Sequence, residues 1–359
     1  MTGRLRKNDD KICASVRKIF LVHRGTTVNQ KRLRNLLFVV ALLLGVTACG
    51  AVPPANNPTP SAMPSVNGKP IIRLAQNPWT GSAVNAHVAK QLLEEKLGYT
   101  TEIVSIDENS QWAELSKGAL SASLEVWGSG ELHQKALQKH VISEKSVHHI
   151  GELGVVGKIS WYVPKYVVDE RPELASWQGF KKPENIALFK TDETGDSGQF
   201  LTGDPTWAQY DEEIIKNLGL KLKVVRTGSE QALIAALDAA YEKKQPILFY
   251  FWTPHSIHKK YQLVPVKLPE YSTTCYSERN TGKKNCDYPP DRLFKIANAK
   301  LRENALDAYT LLANMRYSTE DQITMISDVE LNNKLPEEAA RAWITANEKV
   351  WRRWLPTKN

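Results

Sequence analysis

Cysteine is scarce: four residues in a chain of 359, at positions 13, 49, 275 and 286. Two of these fall before residue 50, so Cys275 and Cys286 are left alone in the body. With no third or fourth ligand at a recognisable spacing they do not form a zinc site. Walker and dinucleotide glycine motifs are missing as well, so the chain does not itself hydrolyse ATP and calls for no cofactor. No apolar run is long enough to span a bilayer permanently, since the longest covers only residues 36–46. Internal repeats are absent. A charge excess is missing where it would matter: the formal +8 resides in residues 1–48, which hold ten Lys/Arg against two Asp/Glu. The remaining 37 basic and 37 acidic residues cancel, giving a nucleic-acid partner no bulk support.

What is present begins with a leader. Lys31-Arg32-Leu33-Arg34 followed by the 36–46 run is a basic segment ahead of a short apolar one, the pattern of an export signal. Val46-Thr47-Ala48-Cys49 closes it and resembles the bacterial lipobox, in which the cysteine is lipidated and becomes the new N-terminus. Residues 1–48 are thus expected to be a lipoprotein signal with a long N-terminal extension. Residues 49–70, rich in Pro, Asn, Ser and Ala, form a tether that cannot build a core. The expected location is the outer face of the cytoplasmic membrane, held there by the lipid. Export agrees with a disulfide between Cys275 and Cys286, which would close a short polar loop and contribute about 3 kcal/mol.

The body alternates strand and helix. An apolar strand at 71–75 is broken by Asn77-Pro78-Trp79, and a helix from residue 82 ends at Gly98 with Val84, Val88 and Leu92 on one face. Strands follow at 101–105, at 120–126 ending on Trp127, and at 155–163 stopped by Pro164. A second alternating block holds helices at 211–218 and 229–243, a strand at 222–226, and the run Phe249-Tyr250-Phe251-Trp252 halted by Thr253-Pro254. The C-terminal part is helical. This pattern predicts an α/β protein of two lobes. Residues 71–163 and 266–359 make one lobe and 164–265 the other, joined by a two-segment hinge.

Ten tryptophans need explaining. Trp343, Trp351 and Trp354 lie at helical spacing and Trp112, Trp161 and Trp177 sit within elements, so all six are expected to pack. Trp79, Trp127, Trp207 and Trp252 stand instead where elements meet loops. Ligands in open α/β sheets bind at the carboxyl ends of strands. Convergent indoles suit a quaternary ammonium, which offers no N–H donor; each desolvated face contributes up to about 2 kcal/mol. Sugars also stack on indoles, so the count alone does not choose.

Leu188-Phe189, Thr194-Gly195-Asp196, Leu201-Thr202-Gly203-Asp204-Pro205-Thr206-Trp207 and Tyr250-Phe251-Trp252-Thr253-Pro254 together resemble the glycine betaine/proline betaine/choline-binding proteins of ABC importers. The resemblance covers nearly the whole body from residue 71 and implies the two-lobed periplasmic-binding-protein fold (type II). It implies that Trp127, Trp207 and Trp252 box a trimethylammonium group and that the amides of Ala208 and Gln209 receive a carboxylate. In that family a histidine four residues after the first tryptophan also contacts the carboxylate; here the nearest is His133, six residues on. Trp79 matches no box position and is expected to be an extra wall or a rim residue. The implied partners are a quaternary ammonium solute, an ABC permease and, through it, an ATPase subunit.

Alternatives come from three classes. A choline or carnitine receptor would want an acidic side chain beside the box, with Asp204, Asp211 or Glu131 as candidates. An exported serine hydrolase is suggested by Gly195-Asp196-Ser197-Gly198, but no histidine lies in a matching context, and the segment reads better as a turn. A receptor domain that senses the same ligand without transport is the third. His255 and His258 have H-x-x-H spacing without a third ligand and are read as a solvated helix start; no metal site is expected.

Overall fold

Residues 65–357, apart from residue 208 and residues 277–283, are described by the computed structural model. Strand β1 (Ile72–Gln76), helix α1 (Thr80–Leu97) and strand β2 (Thr101–Ser105) open the body, followed by α2 (Gln111–Lys117) and β3 (Ala122–Val126). The long strand β4 (Val147–Pro164) leads to β5 (Gly198–Thr202), α3 (Asp211–Leu218), β6 (Leu222–Arg226), α4 (Glu230–Lys243), β7 (Phe249–Thr253) and β8 (Leu263–Pro265). After them come β9 (Pro290–Asn298), α5 (Leu306–Asn314), α6 (Thr319–Glu330) and α7 (Pro336–Ala346).

The strands form one sheet in the order β2-β1-β3-β9-β4-β7-β5-β6, with β8 paired to the end of β4. Each end is a parallel trio, β2-β1-β3 and β7-β5-β6, as strand-helix-strand units require. Antiparallel β9 and β4 join the trios. Two large cores follow: one packs α1 and α5–α7 on the first trio, the other packs α3 and α4 on the second; a smaller one lies under α2. This is an α/β fold of two lobes.

Several boundaries differ from the sequence expectations for physical reasons. Helix α1 starts at Thr80, two residues early, where Glu230 accepts the Thr80 N–H at 2.8 Å and so stands in for a cap. Strand β4 begins at Val147, well before residue 155; Gly151 and Gly154, both at positive φ, disguise its first half. Strand β9 escapes an apolar-pattern reading because Lys295 lies at its centre, fully buried. Its ammonium donates to the carbonyls of Leu312 and Ala313 at 2.8 and 2.9 Å and to that of Met315, closing the end of α5. Burial lowers the Lys295 pKa to about 7.

Six tryptophans pack as their positions suggest. Trp343, Trp351 and Trp354 sit in the first core, and Trp161 is inaccessible in the second, its indole N–H on Asp211 at 2.6 Å. Trp112 is buried and Trp177 lies partly buried against the second core. Cys275 and Cys286 are disulfide-bonded, with 6.4 Å between Cα atoms. Among the described residues no helix is long and apolar enough to cross a membrane. The expected signal, tether and Cys49 lie outside the described residues.

Candidate functional site

The carboxyl ends of the parallel strands converge on one cavity of about 440 Å³ including its mouth. Trp79 follows β1, Trp127 follows β3, Trp207 follows β5 and Trp252 lies in β7; all four line it. Glu108, Ser129, Gly130, Ile159 and Tyr250 complete the wall. Strand periodicity explains two of these, since Tyr250 and Trp252 are two apart on one face of β7, and Ile159 is the register partner of Trp252. The Trp207 ring meets Trp252 edge-on at 5.1 Å and Tyr250 nearly parallel at 5.8 Å.

Two of the indoles are seated on glycines. A Cβ at Gly157 of β4 would lie 2.4 Å from the Trp127 ring, and one at Gly203 would lie 2.3 Å from the Trp207 ring. No other residue leaves room for either ring.

Trp79 and Trp127 share one anchor. Glu125, 2% exposed, accepts the indole N–H groups of Trp79 at 2.7 Å and Trp127 at 3.0 Å on Oε1. On Oε2 it takes the side-chain amides of Asn85 and Gln322, both at 2.6 Å. Burial, with a smaller push from Glu230, raises its pKa to about 7 against the pull of its donors.

The fold redistributes the remaining sequence candidates. His133 is not part of the cavity wall but stands behind Glu108, which its Nε2 meets at 2.9 Å while Nδ1 accepts from Trp112 at 3.0 Å. The extra residues between Trp127 and His133 place it in a helix over Glu131–Ala136, facing inward. Gln209 is also absent from the wall; its Oε1 accepts from Thr202 at 2.7 Å, and its Nε2 is buried without a partner among the described residues. Ala208 lies outside the described residues.

None of the acids named for a choline receptor reaches the cavity. Asp211 is buried against Trp161 and Tyr288, Asp204 caps its own turn at Thr206, and Glu131 pairs with Lys284 at 2.9 Å. Glu108 takes that place. Sequence reading missed both Glu108 and Glu125, although a carboxylate two residues before Trp127 in a buried strand was a usable signal for the second. Gly195-Asp196-Ser197-Gly198 is a turn entering β5, with Gly195 at φ 59°.

The two histidines of the H-x-x-H pair separate, which corrects the solvated-helix reading. His255 is 2% exposed and joins Glu230 at 2.9 Å, while His258 meets the Trp252 carbonyl at 3.0 Å. Glu330 completes a group with Glu230 and His255 in which ligand-capable atoms lie within 4.8 Å of one another. Thr80 bridges it, its hydroxyl reaching Glu230 at 3.0 Å and also Glu330. The group ties the first lobe's α1 and α6 to the second lobe's α4.

Residues 70–346 match the family described as "Substrate binding domain of ABC-type glycine betaine transport system". The chain belongs to that family. Substrate-binding domains of this family are extracytoplasmic, take quaternary ammonium ligands and work with an ABC permease; they are transport proteins, not enzymes. The chain is 28% identical over 288 residues to the trimethylamine N-oxide-binding protein of Pelagibacter ubique, covering 79% of this chain and 90% of that one. A glycine betaine/carnitine transport binding protein of Listeria monocytogenes is 28% identical over 131 residues, 36% of this chain and 38% of that protein. Among solved structures, lactococcal OpuAC closed on glycine betaine superposes with a TM-score of 0.61 at 20% identity, covering 80% of this chain and 99% of that one. An ABC-transporter choline-binding protein in complex with choline gives 0.64 at 18%, covering 80% and 93%. Both superpositions establish the fold: that of a type II periplasmic binding protein.

Proposed function

We propose that the tryptophan cavity captures a small solute bearing a trimethylated nitrogen and that the closed protein hands it to an ABC permease, a separate ATPase subunit supplying the energy. One observation carries this reading: indoles from four strand ends of both lobes line a single cavity whose wall, among the described residues, includes a carboxylate and no lysine or arginine. Each desolvated indole face contributes up to about 2 kcal/mol toward a methylated cation, so three faces give about 6 kcal/mol before the costs of association. A ligand touching both lobes has higher affinity for the closed arrangement and shifts the hinge toward it. Lipidation at Cys49 would keep the protein beside its permease.

Glycine betaine is the ligand the family description suggests. A second reading rests on Glu108, since a carboxylate on the wall repels a ligand carboxylate and favours a smaller or uncharged polar end. Choline, whose hydroxyl can donate to Glu108, and trimethylamine N-oxide, named for the Pelagibacter relative, meet that condition.

Titration of residues 50–359 with glycine betaine, choline, carnitine and trimethylamine N-oxide, followed by tryptophan fluorescence and calorimetry, tests both. Binding of at least one is expected, weakened about 30-fold by Trp207→Ala or Trp252→Ala, the factor for ~2 kcal/mol. Silence toward every compound, or unaltered affinity in both variants, refutes the proposal. Choline or N-oxide binding more tightly than glycine betaine supports the Glu108 reading; the opposite order removes it.

A further inference from the structure

We propose that Glu125 is a positioning and charge-selecting residue of the binding site: it fixes the Trp79 and Trp127 indoles in the wall and supplies the anionic charge that favours a permanent cation over a neutral molecule of the same shape. This rests on the reading of the cavity as a site for a methylated nitrogen.

The geometry is unusual for a buried carboxylate. Its two oxygens accept four hydrogen bonds, two from indoles of the wall and two from Asn85 and Gln322, and none of the four donors carries a charge. A buried carboxylate is ordinarily matched by a cation. Here the faces of the same two indoles, whose N–H edges meet the carboxylate, are where the ligand's charge would sit. An indole whose N–H donates to a carboxylate presents a more negative ring face, and the low dielectric between them leaves the attraction little screened. Position and charge therefore come from one side chain. Two shared bonds hold the rings at a fixed mutual angle, and the net charge lies at their N–H edges.

The surroundings make that charge conditional on occupancy. Facing Glu125 are Glu230 from the start of α4, itself bonded to His255, and the buried hydroxyl of Tyr317 ahead of α6. Gly81 of α1 lies so close that a Cβ there would stand 2.9 Å from Oε2, which keeps solvent away. Burial and the repulsion of Glu230 hold the carboxyl near neutrality in its titration. A bound cation favours the ionised form and drives a proton off. Cation affinity is then full above pH 7 and declines as pH falls through it. An isostere with carbon in place of the cationic nitrogen gains nothing from ionisation.

Three pairs of probes read this out: glycine betaine with 3,3-dimethylbutanoate, choline with 3,3-dimethylbutan-1-ol, and trimethylamine N-oxide with tert-butanol. In each, carbon replaces the methylated nitrogen at constant shape. Wild-type chain, Glu125→Gln and Glu125→Ala are titrated calorimetrically with the pairs at pH 5.5 and pH 8. For wild type, the preference for the nitrogen compound is expected to fall about tenfold between pH 8 and 5.5, the scale of one unit of linked titration. Glu125→Gln keeps an acceptor for the indoles, and Asn85, whose Oδ1 is buried without a partner, can turn its amide to suit. That variant should show the reduced preference at both pH values, with no pH dependence. Glu125→Ala should weaken nitrogen compound and isostere alike, because the rings are freed.

A Glu125→Gln protein with wild-type preference and wild-type pH profile overturns the inference while leaving the function of the cavity intact. Should that variant fail to fold, a flat wild-type preference between pH 5.5 and 8 overturns it equally. A wild-type chain that binds no member of any pair refutes the functional reading, and this inference falls with it.

Discussion

Substituting Gly157 by alanine tests whether the wall must be placed to within an ångström. The added methyl would lie 2.4 Å from two carbons of the Trp127 ring, where carbon atoms settle at about 3.5–4.0 Å. Gly157 is held in β4 by its register with Asp291, so the ring must retreat by about 1 Å. The Trp127 N–H lies 3.0 Å from Glu125, and a shift of that size takes it out of hydrogen-bonding range. A bond to a charged acceptor worth about 1.5–3 kcal/mol is then lost, together with part of a cation–π contact worth up to ~2 kcal/mol. Affinity for the tightest methylated ligand should fall about 30-fold or more, with a stability loss of about 1–3 kcal/mol from overpacking. Calorimetric titration and urea unfolding measure the two effects separately. Gly219→Ala is the control: φ there is +65° and no atom lies within 4 Å of a Cβ, so strain lowers stability while affinity stays unchanged. Unchanged affinity in a folded Gly157→Ala protein would refute the placement of Trp127 as a binding wall.

Opening the Cys275–Cys286 bridge by a double serine substitution should cost about 2–3 kcal/mol and lower the melting midpoint equally in ligand-free and ligand-saturated protein, read by calorimetry. Stability should also pass through a minimum near pH 7. Burial raises the Glu125 and Asp211 carboxyls to about 7, so between pH 4 and 7 the folded chain holds protons the unfolded chain has released, and stability falls as pH rises. Lys295 runs the other way: with its pKa lowered to about 7, it has lost between pH 7 and 10 a proton the unfolded chain retains, and stability rises with pH. Urea unfolding across this range should show the acid limb flattened by Asp211→Asn and the alkaline limb flattened by Lys295→Met.

How much of this could be read in the letters depends on whether a residue obeys or breaks its local pattern. Trp127 and Trp252 end apolar strands that are stopped by Gly128 or by Thr253-Pro254, so period-two alternation alone put them at strand ends. Trp207 and Trp79 follow turn residues and were visible for the same reason. Glu108 and Glu125 were not, because a carboxylate reads as surface until its partners are known. Apart from Trp127, two residues after Glu125, those partners come from 25 to 197 positions away, as His133, Asn85 and Gln322 do. Lys295 hid a whole strand on the same principle. His133 differs in the opposite direction: the family resemblance suggested a ligand contact despite its spacing of six rather than four residues from Trp127, and it stands behind Glu108 instead.

Strand β4 shows why the cavity and the joint between the lobes are one device. Val155, Gly157, Ile159 and Trp161 lie two apart, on one face. Val155 packs in the first core, Gly157 seats Trp127, Ile159 lines the cavity opposite Trp252, and Trp161 packs in the second core with its N–H on Asp211. A ligand that presses on Trp127 or Ile159 therefore acts on the same strand that carries the chain from one lobe to the other. A strand has no slack along its length, since each residue advances about 3.3 Å and its side chains are keyed to both cores. On the proposed function, contacts in the cavity would therefore act on the connection directly. The wall does not need a separate lever to report that it is occupied.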